Sequence, residues 1–120
     1  MGKVFIRDLV MRGIIGIHPH ERESPQEIVV NIEIEADLTR AGQSDDIADC
    51  VDYQRVVEAV TAHATSAARL TVEALATDLA RICVSQPGVD AVRVRVEKPA
   101  AIASCRSVGV EVILTRASGE

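Results

Sequence analysis

From Glu27 to Leu38 the chain alternates almost perfectly between two kinds of residue. Ile28, Val30, Ile32, Ile34, Ala36 and Leu38 are apolar, while Glu27, Asn31, Glu33, Glu35 and Asp37 are polar. Successive side chains on an extended strand point to opposite faces, so a period of two means one buried face and one wet face. That is the signature of a long, half-exposed antiparallel strand. The run from Ala91 to Pro99 repeats the pattern, with Val92, Val94 and Val96 set against Arg93, Arg95 and Glu97. A chain with two such runs is committed to a sheet that needs a cover on one side only.

The remaining segments supply that cover and close the topology. Lys3 to Ile17 is rich in Val, Phe and Ile and reads as a strand, with a bulge or bend expected at Gly13 and Gly16. His18 to Pro25 contains two prolines and reads as a loop, making a hairpin with the next strand. Ala41 to Asp49 is a polar, acidic connection. Asp52 can cap a helix whose stripe is Tyr53, Val56, Val57, Val60 and Ala64. A second helix starts near Thr71, carries Val72, Leu75, Ala76, Leu79, Ile82 and Cys83 on one face, and stops before Pro87-Gly88. Strands at 91–98 and 107–115 follow, the last with Val108, Val110, Val112 and Leu114 inward. The order ββααββ predicts one α+β domain over residues 1–120, a four-stranded antiparallel sheet with two helices on one face. No central proline or charge run blunts the sheet edges, so an oligomer is expected.

Charge and cysteine content narrow the function classes. A net charge of −5, without a basic stripe interleaved with aromatics, argues against nucleic acid as a partner. No apolar run approaches the roughly 20 residues of a membrane span, and no leader pattern is present, so a soluble cytoplasmic protein is expected. Cys50, Cys83 and Cys105 are odd in number and widely spaced, which suits a reducing compartment.

Lys98 is the first candidate for chemistry. Of 13 lysines and arginines only Lys3 and Lys98 are lysines, and Lys98 shares the parity of Val92, Val94 and Val96. A desolvated lysine can lose its proton where an arginine cannot, so Lys98 is a candidate acid/base or Schiff-base group. Alternatively Pro99 ends the strand and the amine snorkels to water. Glu73 stands in the first turn of the second helix, either as an ordinary dipole-favoured acid or as a carboxylate poised for a guanidine-like group. Tyr53, one of only two aromatics with Phe5, fits a half-buried packing residue with its hydroxyl at the surface. His18, His20, Glu21 and Glu23 suggest a metal site at first sight, but no further His or Cys stands nearby at a matching spacing. Glu21 or a histidine can instead line a pocket. His63 falls beside the helix stripe as a boundary residue, and Cys105 reads as a small loop thiol.

Taken together these segments resemble the dihydroneopterin aldolase family of folate biosynthesis. The resemblance rests on Gly13-Ile-Ile-Gly-Ile-His-Pro-His-Glu-Arg-Glu23 with Pro25-Gln26, on Ser44-Asp-Asp-Ile-Ala-Asp49, and on Val51-Asp-Tyr53. It continues through Thr71-Val-Glu73-Ala-Leu and Val94-Arg-Val-Glu-Lys-Pro99 to Ser107-Val-Gly-Val-Glu111. It implies the tunnelling fold, in which subunits close their sheets into an oligomeric barrel, a tetramer or a homo-octamer, with sites between subunits. It also implies a pterin substrate with Glu73 as its anchor beside the Val72 backbone, Lys98 as catalytic acid/base, and Glu21 and Tyr53 as substrate-binding residues. Tyr53 could in addition deliver a proton. The implied reaction is a retro-aldol cleavage of dihydroneopterin that needs no cofactor, no metal and no Schiff base. Alternatives are epimerisation of dihydroneopterin or its triphosphate, for which Arg22 and Arg106 could meet a phosphate, and a non-catalytic pterin- or purine-binding oligomer. Two positions depart from the family pattern. Val72 stands where leucine is usual, and Ala101–Arg106 lacks the Pro-Gly often found after the lysine.

Overall fold

The computed structural model describes residues 1–116. Strand β1 (Gly2–Gly13) leads through the short helix α1 (Pro19–Glu23) to β2 (Gln26–Ala36). Helix α2 (Thr39–Ser44) and a 3-10 turn (Ile47–Asp49) follow, then the two long helices α3 (Tyr53–Ser66) and α4 (Val72–Val84). Strands β3 (Ala91–Lys98) and β4 (Val108–Thr115) complete the ββααββ plan. The four strands lie in the order β1-β2-β3-β4, all antiparallel.

The two alternating runs are direct neighbours. Val30 pairs with Val96, Ile32 with Val94 and Ile34 with Val92, and all six are sealed from solvent. Their inward face meets Val56, Val60 and Ala64 of α3 and Leu75, Ala76, Leu79 and Cys83 of α4. α3 packs over β1, and α4 packs over β3 and β4. With no aromatic in this layer, stability comes from many mid-sized side chains, each worth about 1.5–3 kcal/mol when fully buried. On the open face, Lys3, Glu33, Arg93 and Glu111 form ion pairs across all four strands.

Several sequence expectations are corrected. The β1 bulge falls at Arg7–Asp8 rather than at Gly13 or Gly16: Ile6 pairs with Ile32 and Leu9 with Val30. Asp8 takes a left-handed φ of 55°, and its N–H donates to Asn31 Oδ1 at 2.8 Å. The extra residue moves the inward parity from Val4 and Ile6 to Leu9 and Met11. β1 ends at Gly13, where any Cβ would collide with the Ala64 carbonyl of α3. The segment expected as a loop at 18–25 contains α1, with Pro19 in its first turn, where the missing N–H costs nothing. The 41–49 connection likewise holds most of α2 and the 3-10 turn. Asp52 caps α3 through Arg55 N at 3.0 Å, but Tyr53 is not part of its buried stripe and stands 61% exposed.

Candidate active site

Strand parity carries Lys98 inward, and the end of β3 leaves it at the margin of the core. The side chain is only 13% exposed, yet it does not lie against hydrocarbon alone: Nζ donates to Glu21 Oε2 at 2.9 Å, and that carboxylate is 10% exposed. The desolvated amine of the sequence expectation thus has a carboxylate for a partner. An opposite charge this close favours the ionised form of the acid.

Helix α1 exists to hold that carboxylate. Glu21 Oε1 accepts from the His18 N–H at 3.3 Å and Oε2 accepts from Gln26 Nε2 at 3.3 Å. Gln26 is itself fixed by donating to the Ile15 carbonyl at 2.8 Å. Gly16, at φ 130°, lies flat against the Glu21 carboxylate, in the space any Cβ would fill. The Lys98 hydrogen bond, working against burial and helped by His18 and Gln26, pulls the Glu21 carboxyl from its ordinary 4.5 down to about 2. Glu21 is an anion across the physiological range.

Glu73 is exposed in the first turn of α4, after Thr71 caps the helix by accepting from Ala74 N at 3.1 Å. Val72 beside it is half-buried. Tyr53 opens a separate hollow of about 360 Å³ shared with Ala41, Asp45, Ile47, Cys50 and Val51. Neither Glu21, Lys98 nor Glu73 lines that hollow. One chain thus unites Glu21 with Lys98 and leaves Tyr53 apart from them.

The other candidates resolve as follows. The His18 and His20 rings stack, with centroids 5.8 Å apart, while Glu21 turns to Lys98. Among the described residues no three His, Cys, Asp or Glu side chains group as metal ligands. Arg22 is not free for a phosphate, because it donates to the carbonyls of Gly16, Ala68 and Arg69 at 3.0, 2.7 and 3.1 Å. Arg106 is exposed in the turn after β3. His63 is a boundary residue bonded to Asp78 at 2.8 Å, and Asp78 also takes a bidentate pair from Arg69. Cys105 is an exposed loop thiol, and burial pushes the Cys83 thiol up to about 12.

Three residues of this site have roles that the sequence expectations did not assign to them. Gln26 had a readable signal: it is a polar residue on the inward parity of Ile28 and Val30, the same signal that marks Lys98. Gly16 and Arg22 had none, since their roles depend on contacts across the fold.

The family model for dihydroneopterin aldolase (FolB) matches residues 4–113, which include every residue of the site described above. The chain belongs to the dihydroneopterin aldolase family. Dihydroneopterin aldolase of Haemophilus influenzae is 29% identical over 113 residues, covering 94% of this chain and 96% of that protein. The crystal structure of Escherichia coli dihydroneopterin aldolase in complex with neopterin superposes with a TM-score of 0.91 at 33% identity. That match covers 95% of this chain and 99% of the other. The folic acid synthesis protein FOL1 of Dictyostelium discoideum is 36% identical over 75 residues, which is 62% of this chain but 11% of that protein.

Proposed function

We propose that this chain is a dihydroneopterin aldolase of folate biosynthesis, cleaving dihydroneopterin to hydroxymethyl-dihydropterin and glycolaldehyde. The observation that carries the reading is the Glu21–Lys98 pair, a carboxylate and an amine held together, nearly out of water, at the end of a core strand. In this reading Glu73 receives the guanidine-like edge of the pterin, a geometry that suits a bidentate carboxylate. The Val72 backbone lies alongside. The Glu21 anion accepts the side-chain hydroxyls, which loosens its hold on Lys98.

Lys98 in its neutral-amine form, which this step requires, then takes through a water the proton of the hydroxyl next to the breaking bond. That oxygen becomes the aldehyde of glycolaldehyde. The electron pair of the carbon–carbon bond moves into the ring imine. The proton that Lys98 has taken returns through water to the resulting enamine carbon, giving the hydroxymethyl product and leaving Lys98 neutral again. Because the ring itself stores the electrons, the step calls for neither a metal nor a covalent amine adduct. Positioned proton transfer of this kind contributes typically ~10²–10⁴ in rate.

Tyr53, exposed and lining a hollow that neither Glu21 nor Lys98 lines in its own chain, fits the reading as a residue supplied by a second copy. The proposed assembly is a homo-oligomer, tetramer or octamer, with sites between subunits and a cytoplasmic location. The capture of Arg22 by backbone carbonyls takes one phosphate-binding candidate from the epimerase alternative. Incubation with dihydroneopterin and chromatography of the products tests the choice. Glycolaldehyde with hydroxymethyl-dihydropterin supports the aldolase. A side-chain stereoisomer alone supports an epimerase, and binding without either product supports a non-catalytic pterin binder.

A further inference from the structure

Glu21 and Arg22 are adjacent on α1 but reach in different directions. Glu21 meets Lys98, whereas Arg22 crosses to the turn between α3 and α4. There its guanidinium bridges two segments. One Nη1 donates to both the Gly16 and Arg69 carbonyls, and Nη2 donates to Ala68. The Gly16 N–H also donates to the Arg69 carbonyl, at 3.3 Å, so Gly16, Arg22 and Arg69 form a closed ring of hydrogen bonds. Its shortest bond goes to Ala68, a residue held at φ 51°, a left-handed conformation that an L-residue keeps only when its surroundings enforce it. On the far side the Arg69 side chain is bolted to Asp78 of α4 by two hydrogen bonds of 2.7 and 2.8 Å.

The turn so fixed runs straight into Thr71, Val72 and Glu73. The element that carries Glu21 is therefore tied through one guanidinium to the element that carries the proposed pterin anchor. A lysine in place of Arg22 has no planar fork and cannot serve three carbonyls at once in these directions.

We propose that Arg22 is a positioning residue that fixes Val72 and Glu73 relative to the Glu21–Lys98 pair. It sets how well the pterin ring is held while the proton chemistry proceeds. The proposal rests on Glu73 being the pterin anchor.

The test is steady-state kinetics with dihydroneopterin for the wild type, Arg22→Ala, Arg22→Lys and Glu73→Gln, each with its thermal unfolding midpoint. Arg22→Ala is expected to lose about 10²-fold in kcat/KM, the scale of a small misplacement of bound substrate. Most of the loss falls on KM, and the pH profile of kcat stays in place because Glu21 and Lys98 are intact. Millimolar methylguanidinium is expected to restore most of the loss in Arg22→Ala, while Arg22→Lys recovers little. An unchanged KM in folded Arg22→Ala overturns the proposal. So does a loss that follows the unfolding midpoint, divides evenly between kcat and KM and resists methylguanidinium. If Glu73→Gln leaves KM unchanged, the anchor assignment fails and the proposal falls with it. A raised KM in Glu73→Gln beside an unchanged one in Arg22→Ala removes the role of Arg22 alone.

Discussion

Lys98 Nζ lies 2.9 Å from Glu21 Oε2, a contact between residues 77 positions apart that joins the end of a core strand to a helix of only five residues. Both side chains are nearly withdrawn from water, so each is the other's principal compensation for lost hydration. Within the proposed active site the pair holds the Glu21 carboxyl ionised before any substrate arrives.

That charge state has a measurable pH signature. The Glu21 carboxyl sits at about 2 in the folded chain against an ordinary 4.5, so on acidification the unfolded chain takes the proton first. Its contribution to stability is complete above about pH 4.5 and is lost as pH falls toward 2. Urea unfolding of the wild type and Glu21→Gln across this range is expected to show a stability gap at neutral pH that closes on acidification. A gap that stays constant with pH contradicts the ion pair.

Gly16→Ala is expected to disturb the site from behind. A residue with a Cβ at φ 130° costs on the order of 1–3 kcal/mol, and here the added carbon also occupies the place of the Glu21 carboxylate. Lower stability together with reduced turnover is the expected outcome. Full activity in Gly16→Ala shows that Glu21 can move without consequence.

Asp78 receives both Arg69 and His63, and the Arg69 hydrogen bonds hold its carboxyl below the usual range despite burial. Replacing Asp78 with alanine leaves both donors without their acceptor and is expected to cost roughly 1–3 kcal/mol in denaturant unfolding. A change smaller than a few tenths of this shows that the helix pair does not depend on the cluster.

If Tyr53 acts in the site of a second copy, two inactive variants complement each other. Co-expression of Lys98→Ala and Tyr53→Ala chains in equal amounts leaves roughly a quarter of shared sites with both native residues. Activity recovered near that fraction supports sites between subunits. No recovery in assembled hetero-oligomers places Tyr53 and Lys98 on the same chain or outside the chemistry.

The large elements were legible because their periods are long and clean. β2 and β3 alternate through the core, and α3 and α4 show their caps, Asp52 and Thr71, in sequence. The β1 bulge was written in the parity change between Ile6 and Leu9, although the glycines drew the expectation to the wrong place. Helix α1 is shorter than two turns and has no apolar period to read. Lys98 and Gln26 could be marked as polar residues on an inward parity. Their pairing with Glu21 could not be read, although Glu21 itself stood out as a pocket candidate, because no local pattern reports a contact across the fold. The carbonyls that capture Arg22 are equally silent, since every residue carries one.

The most direct test of the central claim is the rate of glycolaldehyde release from dihydroneopterin by the wild type and by folded Lys98→Ala. Loss of about 10²–10⁴ in kcat with the substitution is the result expected of a positioned acid/base amine. Equal rates for the two proteins contradict the account.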